Sequence, residues 1–303
     1  MIYDIPQRTA EWHEVRKRHV GCSEIGSLFG VQQDFQPSHY SLHLYKSGTI
    51  PEPDVGEELR VLCGVYFEEP SLRLAAKLYR WRMLGPCYAT DDTCPGLGAS
   101  IDQRLEYATP DILRKLKGVG GPGVVEWKWV DWIQHKQKWI NDEPPFSVLL
   151  QLQHGIAATG YQWGVVGCCI GGNEFKIYPY TRRDGIIASI RDKVSEFWRR
   201  VRNGEPPDTD DSESTSESLK LLFPEPTIYS PLDLHDNVEA DELAHGFITS
   251  QEDVKQSEKI HNGYKNRIKA MMGNHEAALT DNFRIRRQKN NAIKVTERME
   301  KYK

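Results

Sequence analysis

Apolar positions along the first two thirds of the chain switch between two periods. Steps of three and four residues mark amphipathic helices, whereas alternation or a short β-branched run marks strands. Residues 8–30 predict a helix, a turn at Gly21-Cys22-Ser23 and a second helix from Glu24, with Ser23 placed to cap it. Residues 64–79 predict another helix, with Leu72, Ala75, Ala76 and Tyr79 on one stripe and Pro70 tolerable only in its first turn. Strands are expected over 97–107 and 123–130, and the loop between them carries a short basic helix near 112–117. Helical signals over 131–160 break at Pro144-Pro145 and stop at Gly160. A hairpin over 162–170 and 174–180 and a helix over 184–202 complete this part. The order predicts an α/β layer with a mixed central sheet flanked by helices, not a nucleotide-binding βαβ repeat.

Beyond residue 203 the pattern changes. Residues 205–226 are rich in Asp, Glu, Ser and Pro, a linker's composition, and separate a core of residues 1–204 from an extension of residues 227–303. In that extension, residues 240–275 predict one or two long helices with Ile260, Tyr264, Ile268 and Met271 at helical spacing. The tail Asn282–Gln288 alternates like an edge strand with its basic side chains facing solvent.

Composition narrows the function classes. The 303 residues can bury a sizeable core, and a net charge of −4 excludes the strongly basic type that coats nucleic acid indiscriminately. Any DNA contact must be local. The six cysteines form no C-x-x-C pair and are read as reduced thiols, with Cys168-Cys169 as small buried strand residues. No run is apolar enough to span a bilayer and residues 1–4 show no signal-peptide pattern, so a cytoplasmic protein without a membrane partner is expected.

The candidate chemistry lies in the second expected strand. Period two puts Glu126 and Lys128 on one face of Gly123–Val130, with Trp127 on the other and its carbonyl near the same edge. The flanking Val124, Val125, Trp129 and Val130 predict partial burial of both faces, so these charges require partners. Asp102 on the neighbouring strand supplies a second carboxylate. Two carboxylates can hold a hard divalent cation and activate water, which Lys128 would orient or deprotonate.

Taken together with other segments, these residues resemble the phage lambda exonuclease family, the YqaJ-type viral recombinases of the PD-(D/E)xK nuclease class. Trp12-His13-x-x-Arg16, Ser23-Glu24-Ile25, Gly64-x-x-x-Glu68, Ser100-Ile101-Asp102, Glu126-Trp127-Lys128 and Gln151-Leu152-Gln153 follow the family's order over residues 8 to about 205. The resemblance implies a restriction-endonuclease-like core with a C-terminal helical extension. It also implies Mg²⁺, two ions with Mn²⁺ able to substitute, held by Asp102, Glu126 and the Trp127 carbonyl. Glu68 and Gln153 would complete the site, and Arg16 and Ser23 would clamp a terminal 5′ phosphate. Glycine spacing favours Glu68 as the helix carboxylate, while the adjacent Pro70 favours Glu69. Gln103 stands where the family commonly has glycine, and Trp129-Val130 where it has a small residue and proline.

The implied activity is 5′→3′ exonuclease action on double-stranded DNA ends, leaving 3′ single strands for recombination. The implied partners are a single-strand annealing protein and further copies of the chain in a ring, a trimer, within a bacterial host carrying the gene on a phage or prophage. Two rival readings are a nuclease-fold DNA-end-binding protein without cleavage and an iron–sulfur, Cas4-like nuclease, which needs four grouped cysteines.

Overall fold

The computed structural model of the protein describes residues 1–33, 35–227 and 230–297. The chain divides into two compact units, Met1–Pro226 and Thr227–Lys303. The last six residues of the basic tail lie outside the described residues.

The first unit opens with β1 (Ile2–Tyr3), α1 (Ala10–Lys17), a 3₁₀ turn (Cys22–Glu24) and α2 (Ile25–Leu28), followed by α3 (His39–Lys46) and α4 (Leu59–Leu78). Strands β2 (Cys87–Thr90), β3 (Gly98–Ile101) and β4 (Gln103–Leu105) lead through α5 (Pro110–Lys115) into β5 (Gly123–Val130). Helices α6 (Trp132–Lys138) and α7 (Phe146–Thr159), the hairpin β6 (Trp163–Ile170) and β7 (Glu174–Thr181), then α8 (Asp184–Asn203) and α9 (Glu213–Leu222) complete it. The central sheet runs β4-β5-β6-β7, with β5 and β6 parallel and the outer pairs antiparallel. It is the mixed sheet that the pattern predicts. A second, antiparallel sheet, β1-β2-β3, was not expected.

Period two on β5 sorts its side chains into two cores. Val125 and Trp127 pack with Leu72, Ala75 and Ala76 of α4, while Val124 and Val130 join Leu150, Leu152 and Ile156 of α7 and Phe197 of α8. Helices therefore cover both faces of the sheet. Trp127, fully buried, stands across from Gly167 on β6, where an added Cβ would sit 2.4 Å from the indole ring. Only a glycine leaves room there.

Four sequence expectations are corrected. The single strand over 97–107 is two strands in two sheets, because the chain bends at Asp102: β3 pairs with β2, and β4 with β5. Helix α4 starts five residues earlier than expected, so Pro70 is interior. Its position is exposed, so the helix hydrogen bond forfeited by its missing N–H faces water. Within the expected linker, α9 docks on α3 through buried hydroxyls: Ser38 Oγ lies 2.7 Å from Thr215 Oγ1, and Ser218 donates to Ser41 Oγ at 2.8 Å. Leu219 and Leu222 add apolar contact with Tyr40, Leu44 and Ile50.

The second unit holds one long helix, α10 (Val238–Met272), and a sheet of β8 (Ala277–Leu279), β9 (Phe283–Arg287) and β10 (Ile293–Glu297). The fourth correction is here: the tail strand is central, paired on both sides, rather than an edge.

Candidate active site

Asp102 occupies the corner between the two sheets, where β4 begins. Its Oδ2 accepts the Trp127 backbone N–H at 3.0 Å, which ties it to the middle of β5. The N–H and C=O of a strand residue leave on the same side, so the Trp127 carbonyl faces this edge just beyond the start of β4. One residue before Trp127, Glu126 is buried, and its Oε1 lies 2.5 Å from Lys128 Nζ. Both project from the face of β5 shared with Val124, as their spacing predicts.

Glu68 reaches the same place from α4. It accepts the Trp129 backbone N–H and feels the charges of Lys128 and Glu126. Glu69 instead pairs with Arg73 at 2.6 Å on the solvent side. The helix carboxylate facing the centre is therefore Glu68, as glycine spacing indicates.

Electrostatics bind these groups into one unit. Burial pushes the Asp102 carboxyl well above the usual carboxylate range, with Glu126 and Glu68 adding to the rise and Lys128 opposing it. Burial likewise raises Glu68, against the pull of Lys128. For Lys128 burial disfavours the charge, yet Glu126, Glu68 and Asp102 together outweigh it and raise its pKa. The carboxylates hold Lys128 as an ammonium ion, a charged hydrogen-bond donor rather than a base. Cys22, buried beside them, is kept a neutral thiol by burial and by the Glu126 and Asp102 charges.

The donors are hard carboxylate oxygens, the chemistry suited to Mg²⁺. They are not closed into a cage: among the described residues no three His, Cys, Asp or Glu side chains converge at metal-holding distance. The reason is visible in the bonds, since Lys128 engages Glu126 and the Trp127 N–H engages Asp102. Asp102, Glu126 and the Trp127 carbonyl fit a dication as a two-carboxylate set.

Gln153 is not brought to this centre. Its Nε2 donates to the Thr181 carbonyl at 3.0 Å and its Oε1 accepts the Arg183 N–H at 2.9 Å, so its amide is spent fastening the end of β7 to α7. Gln151, also buried, lies one turn before Gly155, whose face meets Ile101, Val124 and Cys22. Helical geometry puts Gln151 on the face toward the carboxylates. His154 is structural: burial lowers its pKa to about 4, and the neutral ring bonds the Gly98 carbonyl at 2.9 Å.

A second cluster sits at the α1–α2 turn. Buried Glu24 accepts from the Gly21 N–H at 2.7 Å and pairs with Arg16 at 3.1 Å and Lys46 at 3.0 Å. Arg16 also stacks over Trp12, whose indole N–H donates to Ser100 Oγ, two residues before Asp102. Two cations share the buried Glu24 carboxylate, and the Glu52 charge also acts on Arg16. Ser23 lies inside the 3₁₀ turn and is exposed; the cap is Gly21, closed by the Glu24 carboxylate, which corrects the expected capping role of Ser23. Sequence reading placed Glu24 in a motif without a role and missed its partner Lys46, for which spacing held no signal because Lys46 comes from α3, 22 residues further on.

These features define a mixed α/β fold with a restriction-endonuclease-like core and a carboxylate–lysine centre. No protein-family model matches the chain. It is 24% identical over 282 residues to the uncharacterized protein YqaJ of Bacillus subtilis, spanning 90% of this chain and 81% of that protein. Among solved structures it is similar to the alkaline exonuclease LHK-Exo of Laribacter hongkongensis (TM-score 0.50, 20% identity, 65% of this chain and 94% of that one). The same enzyme with dAMP gives a TM-score of 0.51 at 19% identity. These findings bear out the fold class and the resemblance to YqaJ-type proteins.

Proposed function

We propose that the protein is a Mg²⁺-dependent 5′→3′ exonuclease acting on double-stranded DNA ends and producing 3′ single strands for recombination by annealing. The observation carrying this reading is that Glu68, Asp102, Glu126 and Lys128, from α4, the sheet corner and β5, form one electrostatically linked cluster. Asp102, Glu126 and the Trp127 carbonyl would hold Mg²⁺, with Glu68 nearby. The ion would supply a hydroxide-like water and charge stabilisation for in-line phosphodiester hydrolysis. Lys128, held protonated, orients the attacking water or neutralises charge developing on the phosphate. Gln153 acts from a distance, by holding β7 against α7.

Arg16, locked in orientation by Glu24 and Trp12 yet with 26% of its side chain exposed, is suited to receive a terminal 5′ phosphate alongside Ser23. Preference for an end follows from that contact. The test is digestion of 5′-phosphorylated linear duplex with Mg²⁺ by the wild type and by Lys128→Ala. Loss of at least a hundredfold in rate, with EDTA abolishing wild-type activity, is expected. Equal rates would exclude this mechanism, and binding of ends with no change in DNA length would favour the non-cleaving reading.

A further inference from the structure

The second unit is almost without a core. Met272 is the one buried hydrophobic side chain among its described residues. One such residue cannot offset the ordering entropy of a 35-residue helix and three strands. Up to its C-terminal turns α10, about 52 Å long at ~1.5 Å per residue, is exposed.

Most of the exposed apolar residues of α10 are ordered, with Val238, Ile248 and Ile260 lying off the pattern. Leu243, Phe247, Val254, Tyr264 and Met271, between 58% and 87% exposed, fall with Ile268 on alternating steps of three and four, a seven-residue repeat. Charge along the helix is equally ordered. Residues 238–254 hold Glu239, Asp241, Glu242, Glu252 and Asp253 without Lys or Arg, whereas residues 255–272 hold five Lys or Arg and only Glu258. The helix dipole favours such an arrangement only in the terminal turns, and here it extends over the whole length.

We propose that α10 pairs antiparallel with α10 of a second copy of the chain. The acidic half of each helix then lies on the basic half of the other. With Phe247 set against the second copy's Met271, Val254 meets Tyr264. The polar interruptions fall in place in the same register: Ser250 faces Ile268 and Ser257 faces His261, a small side chain opposite a larger one each time. Asp253 comes beside Arg267 on both flanks. Ile260, apolar but off the stripe, lies next to the two-fold axis and meets its own counterpart. A parallel pair would instead align Ser250 with Ser250 and Ser257 with Ser257, and would set Asp253 beside Glu258.

Sedimentation equilibrium of the full chain tests this. An even number of copies is expected, six if the chains also close the ring of three that the resemblance implies, and Phe247→Glu should halve it. Asp253→Arg and Arg267→Asp should each weaken association on the order of tenfold, two flanking pairs being affected at once, and the double variant should restore it. Under oxidation Ile260→Cys should cross-link to itself while Met271→Cys should not, with the wild type controlling for its native thiols. An odd copy number, an assembly indifferent to Phe247→Glu, or tighter association of Asp253→Arg would overturn the proposal. So would a monomer whose α10 amides resist hydrogen exchange, because the first unit would then cover the stripe.

Discussion

Asp102 carries a cost that its surroundings do not remove. Its carboxyl keeps a proton to higher pH in the folded chain than in the unfolded one. The folded state therefore binds more protons over the window between the ordinary carboxylate pKa and the raised one, and stability falls as pH climbs through that window. Asp102→Asn removes the ionisation but retains an oxygen for the Trp127 N–H. In EDTA at pH 8 its melting temperature should exceed that of the wild type by a few degrees, since about 1 kcal/mol corresponds to ~2–4 °C in a chain of this size. The difference should vanish below about pH 4, where the carboxyl is protonated in both states. Hydrolysis should be lost. Scanning fluorimetry across pH checks the sign, and a lower melting temperature at pH 8 would contradict the electrostatic account.

Among the elements, β5 was legible because its β-branched and aromatic run follows a Gly/Pro-rich stretch. The break at Asp102 was not. Burial alternates without interruption through Ile101, Asp102, Gln103, Arg104 and Leu105, so hydrophobic pattern reads one strand while the hydrogen-bond partners change. Such switching is a property of pairing, which side-chain polarity does not encode. Helix α9 was hidden for the opposite reason: its buried contacts are made by Ser and Thr, whose hydroxyls satisfy one another. Two tests belong to this scale. Gly167→Ala should cost about 1–3 kcal/mol by displacing the Trp127 ring, read as a lower urea midpoint, and should slow hydrolysis because the Trp127 N–H moves with it. Leu219→Asp should release α9 from α3, making residues 205–212 rapidly cleavable in limited proteolysis; unchanged cleavage would show that the hydroxyl contacts suffice.

For the molecule as a whole, the two units differ in what holds them. The first has two cores on either face of its sheet and should fold alone: a chain ending at Pro226 is expected to show a cooperative thermal transition. Residues 227–303 by themselves, at low micromolar concentration, should not, as circular dichroism would reveal. Much of the candidate site was readable because Asp102, Glu126 and Lys128 follow from strand period and order. Glu24 and Lys46 were not, because their pairing depends on where α3 lands, and the resemblance that put Gln153 at the site could not show that its amide is taken up by Thr181 and Arg183.

The hinge-like placement of Asp102 has a mechanical corollary. One acid is borne by the seam between two sheets and the other by the middle of a strand, so any shear of the small sheet against the large one alters their separation. Substitutions on strands β1 and β2, which hold β3 and so the seam at Asp102 in place, are thus expected to tune turnover as a set-screw does, through sub-ångström displacement rather than through chemistry.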